Sequence, residues 1–281
     1  MPCDDDTTAI GAAIGGAFAV GPEPENADRT ADVSLLARGG LWTDFGLTEG
    51  AASRATYGRG SMIDRILATA GVAFILGALS LIWSARATIP YATYVSGLGA
   101  EGMPTATIFM VALLCVAIGG ALIGWAARDI RAGVAVLRWG TPAVSIWTSS
   151  SFFLLASQVN CTSGCPLPIQ PAFFSVQDLV HITAAVLAFA AACWAMLQCA
   201  VTVDRPVLAR VSLVASISVA VIAGAGGLMS IAGFRRDLGA WLEFVATTIG
   251  LGWIALLGVI LIARPSSALV APSARAESVT R

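Results

Sequence analysis

The chain contains no lysine and a single histidine, His181, and only 12% of its 281 residues are charged. Without lysine there can be no phosphate-cradling G-x-x-x-x-G-K-[ST] loop, whose lysine reaches the terminal phosphates. One histidine excludes a membrane zinc hydrolase built on several imidazoles. No G-x-S-x-G elbow occurs, and the serine of "YVSGLGAEGMP" sits in a Gly/Pro-rich stretch that reads as a turn-forming loop. The 16 basic residues, all arginine, are scattered rather than gathered into a patch, so nucleic acid is not an expected partner. No cofactor and no resident metal are expected.

What the chain has in excess is apolar surface. Hydrophobic residues make up 57% of it and the mean hydropathy is +0.81, a composition far outside that of soluble domains. A helix needs about 20 mostly apolar residues to cross the hydrocarbon core of a bilayer. Six runs meet that length, roughly Ile66 to Trp83, Thr105 to Ala127, Trp139 to Ser157, Leu179 to Val201, Leu208 to Gly233 and Trp241 to Ile262. The expected fold is therefore all-α, a polytopic integral membrane bundle of six transmembrane helices. An even number of spans puts both termini on one side.

Arginine placement chooses the side. With the termini cytoplasmic, thirteen arginines fall in cytoplasmic segments and only Arg86, Arg235 and Arg236 on the opposite face, as the positive-inside rule requires. Trp83, Trp125, Trp139 and Trp241 lie near span ends, where tryptophan anchors at the interface. The expected location is a bacterial inner (plasma) membrane, and the partners implied are the lipid bilayer, other membrane proteins or a lipid ligand.

Residues 1–61 differ in kind, with nine acidic side chains against four arginines. "AIGAAIGGAFAV" is too short to cross and follows three aspartates rather than the basic segment of a signal peptide. This segment reads as a disordered acidic tail. A second reading starts translation at Met62, directly before "IDRILATAGVAFILG", and leaves the arginine asymmetry in place. The expected organisation is thus a tail over 1–61, a six-helix domain over 62–264 and a disordered cytoplasmic tail over 265–281.

Between the third and fourth runs stands "NCTSGCPLPIQPAFFSVQDLVH", from Asn160 to His181. On the non-cytoplasmic face, a disulfide-permissive compartment, Cys161 and Cys165 are expected to form a bridge. Closing so short a loop contributes only about 2 kcal/mol in the chain-entropy model, so the bridge acts mainly by local stiffening. Cys161, Cys165, Asp178 and His181 would also make a conceivable four-ligand zinc set, but no second histidine or second close cysteine pair supports it. Cys3, Cys115, Cys193 and Cys199 read as ordinary thiols, the last three packed within spans.

Ionisable residues at or inside spans are costly in lipid and mark interior or functional positions. Glu101, Asp178, Asp237 and Glu243, with His181, Arg235 and Arg236 as candidate partners, all belong to the disulfide side. If the chain is an enzyme, His181 would be its acid or base, with Asp178 or Glu243 orienting it at a lipid-handling site in the outer leaflet. The plainer reading has Asp178 complementing the dipole of its own helix, His181 bonded to it, and Glu243 paired with Arg236. "GGALIG" (Gly119 to Gly124) and "GAGG" (Gly224 to Gly227) offer small faces for close helix approach. The third run is interrupted by Pro142 and carries hydroxyls at Thr148 to Ser151 that would bond to neighbouring helices or line a path. Matching broken helices in two halves, as in many transporters, are not evident.

"YVSGLGAEGMPTATIF", the cysteine pair before "VHITAAVLAF", and "GLMSIAGFRRDLGAWLEFVATTIGLGW" together resemble a bacterial family of six-span membrane proteins catalogued as domain of unknown function number 998. The resemblance covers about Arg65 to Ala263 and leaves the acidic tail outside. It implies a six-helix membrane bundle and brings no activity, substrate or cofactor. The function expected is that of a structural or accessory membrane protein, with a lipid-handling enzyme or a transporter of a small or lipid-like solute as the alternatives.

Overall fold

The computed structural model describes residues 62–138, 140–166, 175–203 and 205–263. Both tails, Cys3 and Trp139 therefore lie outside the described residues. Within them the chain is helical with no strand: α1 (Met62–Thr88), α2 (Ala106–Ala126), α3 (Pro142–Gln158), α4 (Val176–Ala200), α5 (Pro206–Ile231) and α6 (Arg236–Ile262). Five of them, all but α3, are long and apolar enough to cross a membrane, which makes this a multi-pass membrane protein. With its 17 residues α3 is about 25 Å long, at the lower limit for a span.

The helix ends follow local chemistry. Pro142 does not interrupt the third run; it opens α3 at the first helical turn, where its missing N–H costs nothing. Thr141 caps that end by accepting from the Val144 N–H at 3.3 Å. Pro206 opens α5 in the same way. The stretch after α1, expected as a plain loop, contains a 3-10 turn over Ser96–Gly99.

Each helix packs on its neighbour in sequence, and α1 meets α6, so the six close into a ring. The connections alternate between two ends. At one, Glu101 N–H donates to Cys161 O at 2.9 Å and Val95 N–H reaches Glu243. At the other, Gly133 N–H donates to Val201 O at 2.9 Å, and buried Gln198 joins Ser145 Oγ at 2.7 Å to Leu137 O at 3.1 Å. That second end also carries the ion pair of Arg128 with Asp64 at 2.5 Å. The hydrogen bonds that the Arg128 guanidinium donates to the Asp64 carboxylate raise its pKa further above its ordinary value, fixing its charge.

Small residues set the closest approaches. A Cβ on Gly119 would stand 2.9 Å from Gly71 O, and one on Gly71 2.9 Å from Gly119 O, so α1 and α2 touch backbone to backbone. The Gly119–Gly124 face thus packs as its composition implies. At Gly226 the corresponding approach is to Gly239 O, 3.3 Å from a built Cβ, joining α5 to α6.

Candidate functional site

Cys161 and Cys165 stand at disulfide distance with Cα atoms 5.0 Å apart, as expected from their spacing. Gly164 and Cys165 both have positive φ, which turns the chain tightly enough to bring the sulfurs together. Cys115, Cys193 and Cys199 are free thiols inside helices.

Asp178 is fully buried and binds the bridge loop to α4. Its carboxylate accepts from Thr162 N–H at 2.7 Å and from Thr162 Oγ1 at 2.9 Å. It also accepts from Ser175 N–H at 2.9 Å and Ser175 Oγ at 2.7 Å, while Ser175 Oγ accepts from Asp178 N–H at 3.1 Å. The two backbone contacts among these, Ser175 N–H to Asp178 and Asp178 N–H to Ser175 Oγ, form a reciprocal capping box. A carboxylate has about four lone-pair sites, and four protein donors engage them here.

His181 is buried and bonds elsewhere: its Nδ1 lies 2.6 Å from Val159 O. A carbonyl only accepts, so Nδ1 carries a proton and Nε2 is left as the working atom of the ring. The expected bond between His181 and Asp178 is therefore replaced by one to the end of α3, because Asp178 is turned toward the loop. A His181 ring nitrogen and the two cysteine sulfurs lie within 4.8 Å of one another. Zinc takes thiolates, which a disulfide does not offer, and Asp178 has no lone pair to spare as a fourth ligand.

Glu243 sits two turns inside α6, where Oε2 accepts from Val95 N–H at 3.0 Å and the Ser96 N–H also bonds to the carboxylate. It thereby caps the 3-10 turn Ser96–Gly99, whose first N–H groups have no partner within the turn. The side chain of Arg236, its expected partner, lies outside the described residues. Glu101 accepts from Gln177 Nε2 at 2.7 Å, Asp237 lies in the first turn of α6, and exposed Arg235 is its left-handed N-cap. Glu101, Asp178, His181 and Glu243 are thus divided among separate contacts.

Two of them share a space. The ring of helices encloses a cavity of about 90 Å³ lined from all six, with His181 and Glu243 toward the disulfide end. Thr247, one turn below Glu243 on the same face of α6, also lines it, as do Ser149 and Ser150 of α3. Thr247 Oγ1 is buried without a hydrogen-bond partner. Gly120 lets α3 come close: a Cβ there would lie 2.5 Å from Ser150 Oγ. The remaining wall is mostly apolar and includes Phe109, Phe153, Phe189 and Trp253. Asp178 does not line the cavity. The other two hydroxyls of the Thr148–Ser151 stretch, on Thr148 and Ser151, bond back to their own helix at Val144 O and Trp147 O. Sequence reasoning overlooked Thr162, Ser175 and Thr247, of which only Ser175, three residues before Asp178, carried a readable capping signal.

Comparison of the chain with protein-family models, curated proteins and solved structures finds no match.

Proposed function

We propose that the chain is a six-span protein of a bacterial inner membrane, with both termini cytoplasmic, acting as a structural or accessory subunit rather than an enzyme. One observation carries the non-enzymatic part: the carboxylates a catalytic His181 would need are engaged in capping. Asp178 accepts from four protein donors and Glu243 from two backbone N–H groups, while His181 is oriented by a carbonyl. General acid–base work needs an acid and a base within hydrogen-bond reach of one reacting group. The arginine distribution supports the orientation, and the apolar run that contains α3 supports a sixth crossing.

Replacing His181 by Ala and Glu243 by Gln tests this reading. A host phenotype that survives both changes at normal protein levels is expected. Its loss in His181→Ala, with unchanged protein levels, would restore the lipid-handling enzyme. The cavity favours a second reading, transport of a small solute, for which uptake into proteoliposomes containing the purified protein is the direct measurement.

A further inference from the structure

We propose that the central cavity is a binding site for a small alkylammonium cation, its charge set against the Glu243 carboxylate and its methyl groups against the aromatic wall. The inference goes beyond the accessory reading and does not rest on it, since binding is expected whatever the span count or orientation.

Charge is the first argument. Glu243 lines a mostly apolar space at the depth of a membrane helix, where an ionised carboxylate is costly unless compensated. The salt bridge of Arg128 with Asp64 stands at the other end of the bundle. Arg86, near this end, donates to Ile89 O and stacks over Trp241 at 5.0 Å. Two backbone N–H groups occupy half of the lone-pair sites of Glu243, which leaves acceptor capacity for a cationic donor.

The wall selects the kind of cation. Calcium takes about six to eight oxygen ligands, and magnesium a strict octahedron, which one carboxylate, one imidazole and four hydroxyls spread along a mostly apolar wall do not supply. Phe109, Phe153 and Phe189 line the same cavity, and their π-systems attract cations and fit the methyl groups of an alkylated ammonium, whereas Trp253, ten residues and about 15 Å along α6 from Glu243, lies too far away to take part. Phe153 and Phe189 meet edge to face at 5.7 Å, fixing two of these rings relative to each other. The hydroxyls below Glu243 complete the set. Thr247 Oγ1, in a residue 8% exposed, has no partner, and its lone pairs are open to an N–H donor.

Size sets the limit. A cavity of about 150 Å³ is known to hold benzene, so the 90 Å³ here admits a ligand smaller than that. Methylammonium and ethylammonium fit this bound, and tetraethylammonium does not.

Equilibrium binding of radiolabelled methylammonium to the purified full chain in detergent tests the proposal, with tetraethylammonium and ethanol as competitors. Saturable binding is expected, displaced by ethylammonium but by neither competitor. Glu243→Gln should weaken it by about tenfold to a hundredfold, the value of one charge-assisted hydrogen bond. Thr247→Val, close to isosteric, should weaken it by about threefold to tenfold. Because Glu243→Gln also weakens the cap on the 3-10 turn, Ala185→Leu serves as a second variant, filling the cavity from α4 while leaving that cap alone. Its expected result is loss of binding at an unchanged melting temperature. No saturable binding to folded protein, equal binding by Glu243→Gln, binding retained in Ala185→Leu, or displacement by ethanol would each overturn the proposal.

Discussion

Replacing Asp178 by Asn separates a structural from a chemical role for the most heavily bonded carboxylate of the chain. The two side chains have nearly the same shape, but one acceptor oxygen becomes an NH2 donor. In the native site Oδ1 faces Thr162 N–H at 2.7 Å, and Oδ2 faces Ser175 N–H at 2.9 Å. Whichever way the amide is turned, its NH2 group therefore meets a backbone N–H, and one buried donor loses its acceptor. That orphan costs about 1–3 kcal/mol. The bonds that survive fall from charge-assisted to neutral, about 1 kcal/mol each. The sum is about 3–5 kcal/mol, a large part of the roughly 5–15 kcal/mol that holds a domain folded. At about 2–4 °C per kcal/mol for a domain of this size, the melting temperature in detergent should fall by about 6–20 °C. Tryptophan fluorescence at a fixed scan rate reads this out, the fixed rate being needed because such unfolding is often irreversible. Thr162→Val, which removes only the hydroxyl donor, should fall by about a third as much. A variant that melts within about 2 °C of the parent and yet abolishes the host phenotype would refute the reasoning and return Asp178 to the chemistry.

Other outcomes follow from the same contacts. Maleimide labelling of intact cells should reach Cys161 and Cys165 only after reductant; labelling without it would refute the bridge in the native membrane. Gly119→Leu drives a side chain into Gly71 O and should cost about 1–3 kcal/mol, read as a lower melting temperature, whereas Gly224→Leu, with nothing within 4 Å of its Cβ, should melt like the parent. Arg128→Gln removes a partly exposed pair and should lower stability by only about 1 kcal/mol, an effect that shrinks as salt is raised; an effect several times larger would mean that the pair orders the whole end of the bundle.

The helices were legible because the signal for each is about 20 residues of unbroken apolarity, which lipid demands and soluble folding does not. Finer punctuation was read less well. Set in a long apolar run, Pro142 reads as a helix breaker, whereas the Thr141 cap marks it as a first-turn residue. The box at Ser175 and Asp178 was present in "SVQD", yet the partner that fills the carboxylate, Thr162, comes from a loop 16 residues earlier and has no local signature. Glu243 illustrates the general limit. Its acceptors engage backbone N–H groups 148 residues away, and backbone carries no side-chain code for sequence to reveal.

These contacts also give the disulfide a role different from metal binding. The bridge holds the turn from Cys161 to Cys165, and Thr162 within that turn donates two hydrogen bonds to Asp178, which caps α4. Cys161 O, at the start of the same turn, accepts from Glu101 N–H between α1 and α2, and Val159 O just before it fixes the ring of His181. Val95 and Ser96 in turn hang on Glu243 of α6. One short stapled loop thus sets the register of α3 and α4 at this end and, through His181 and Glu243, the two ionisable groups that line the cavity. Reduction of the bridge should then loosen the cavity mouth before it unfolds the bundle, because the ring below is held by apolar and glycine contacts that do not involve the loop. Hydrogen exchange with and without reductant distinguishes the two orders: faster exchange confined to Val95, Ser96 and the first turn of α4 is expected, and uniform acceleration along α1 and α2 would show that the staple supports the whole fold.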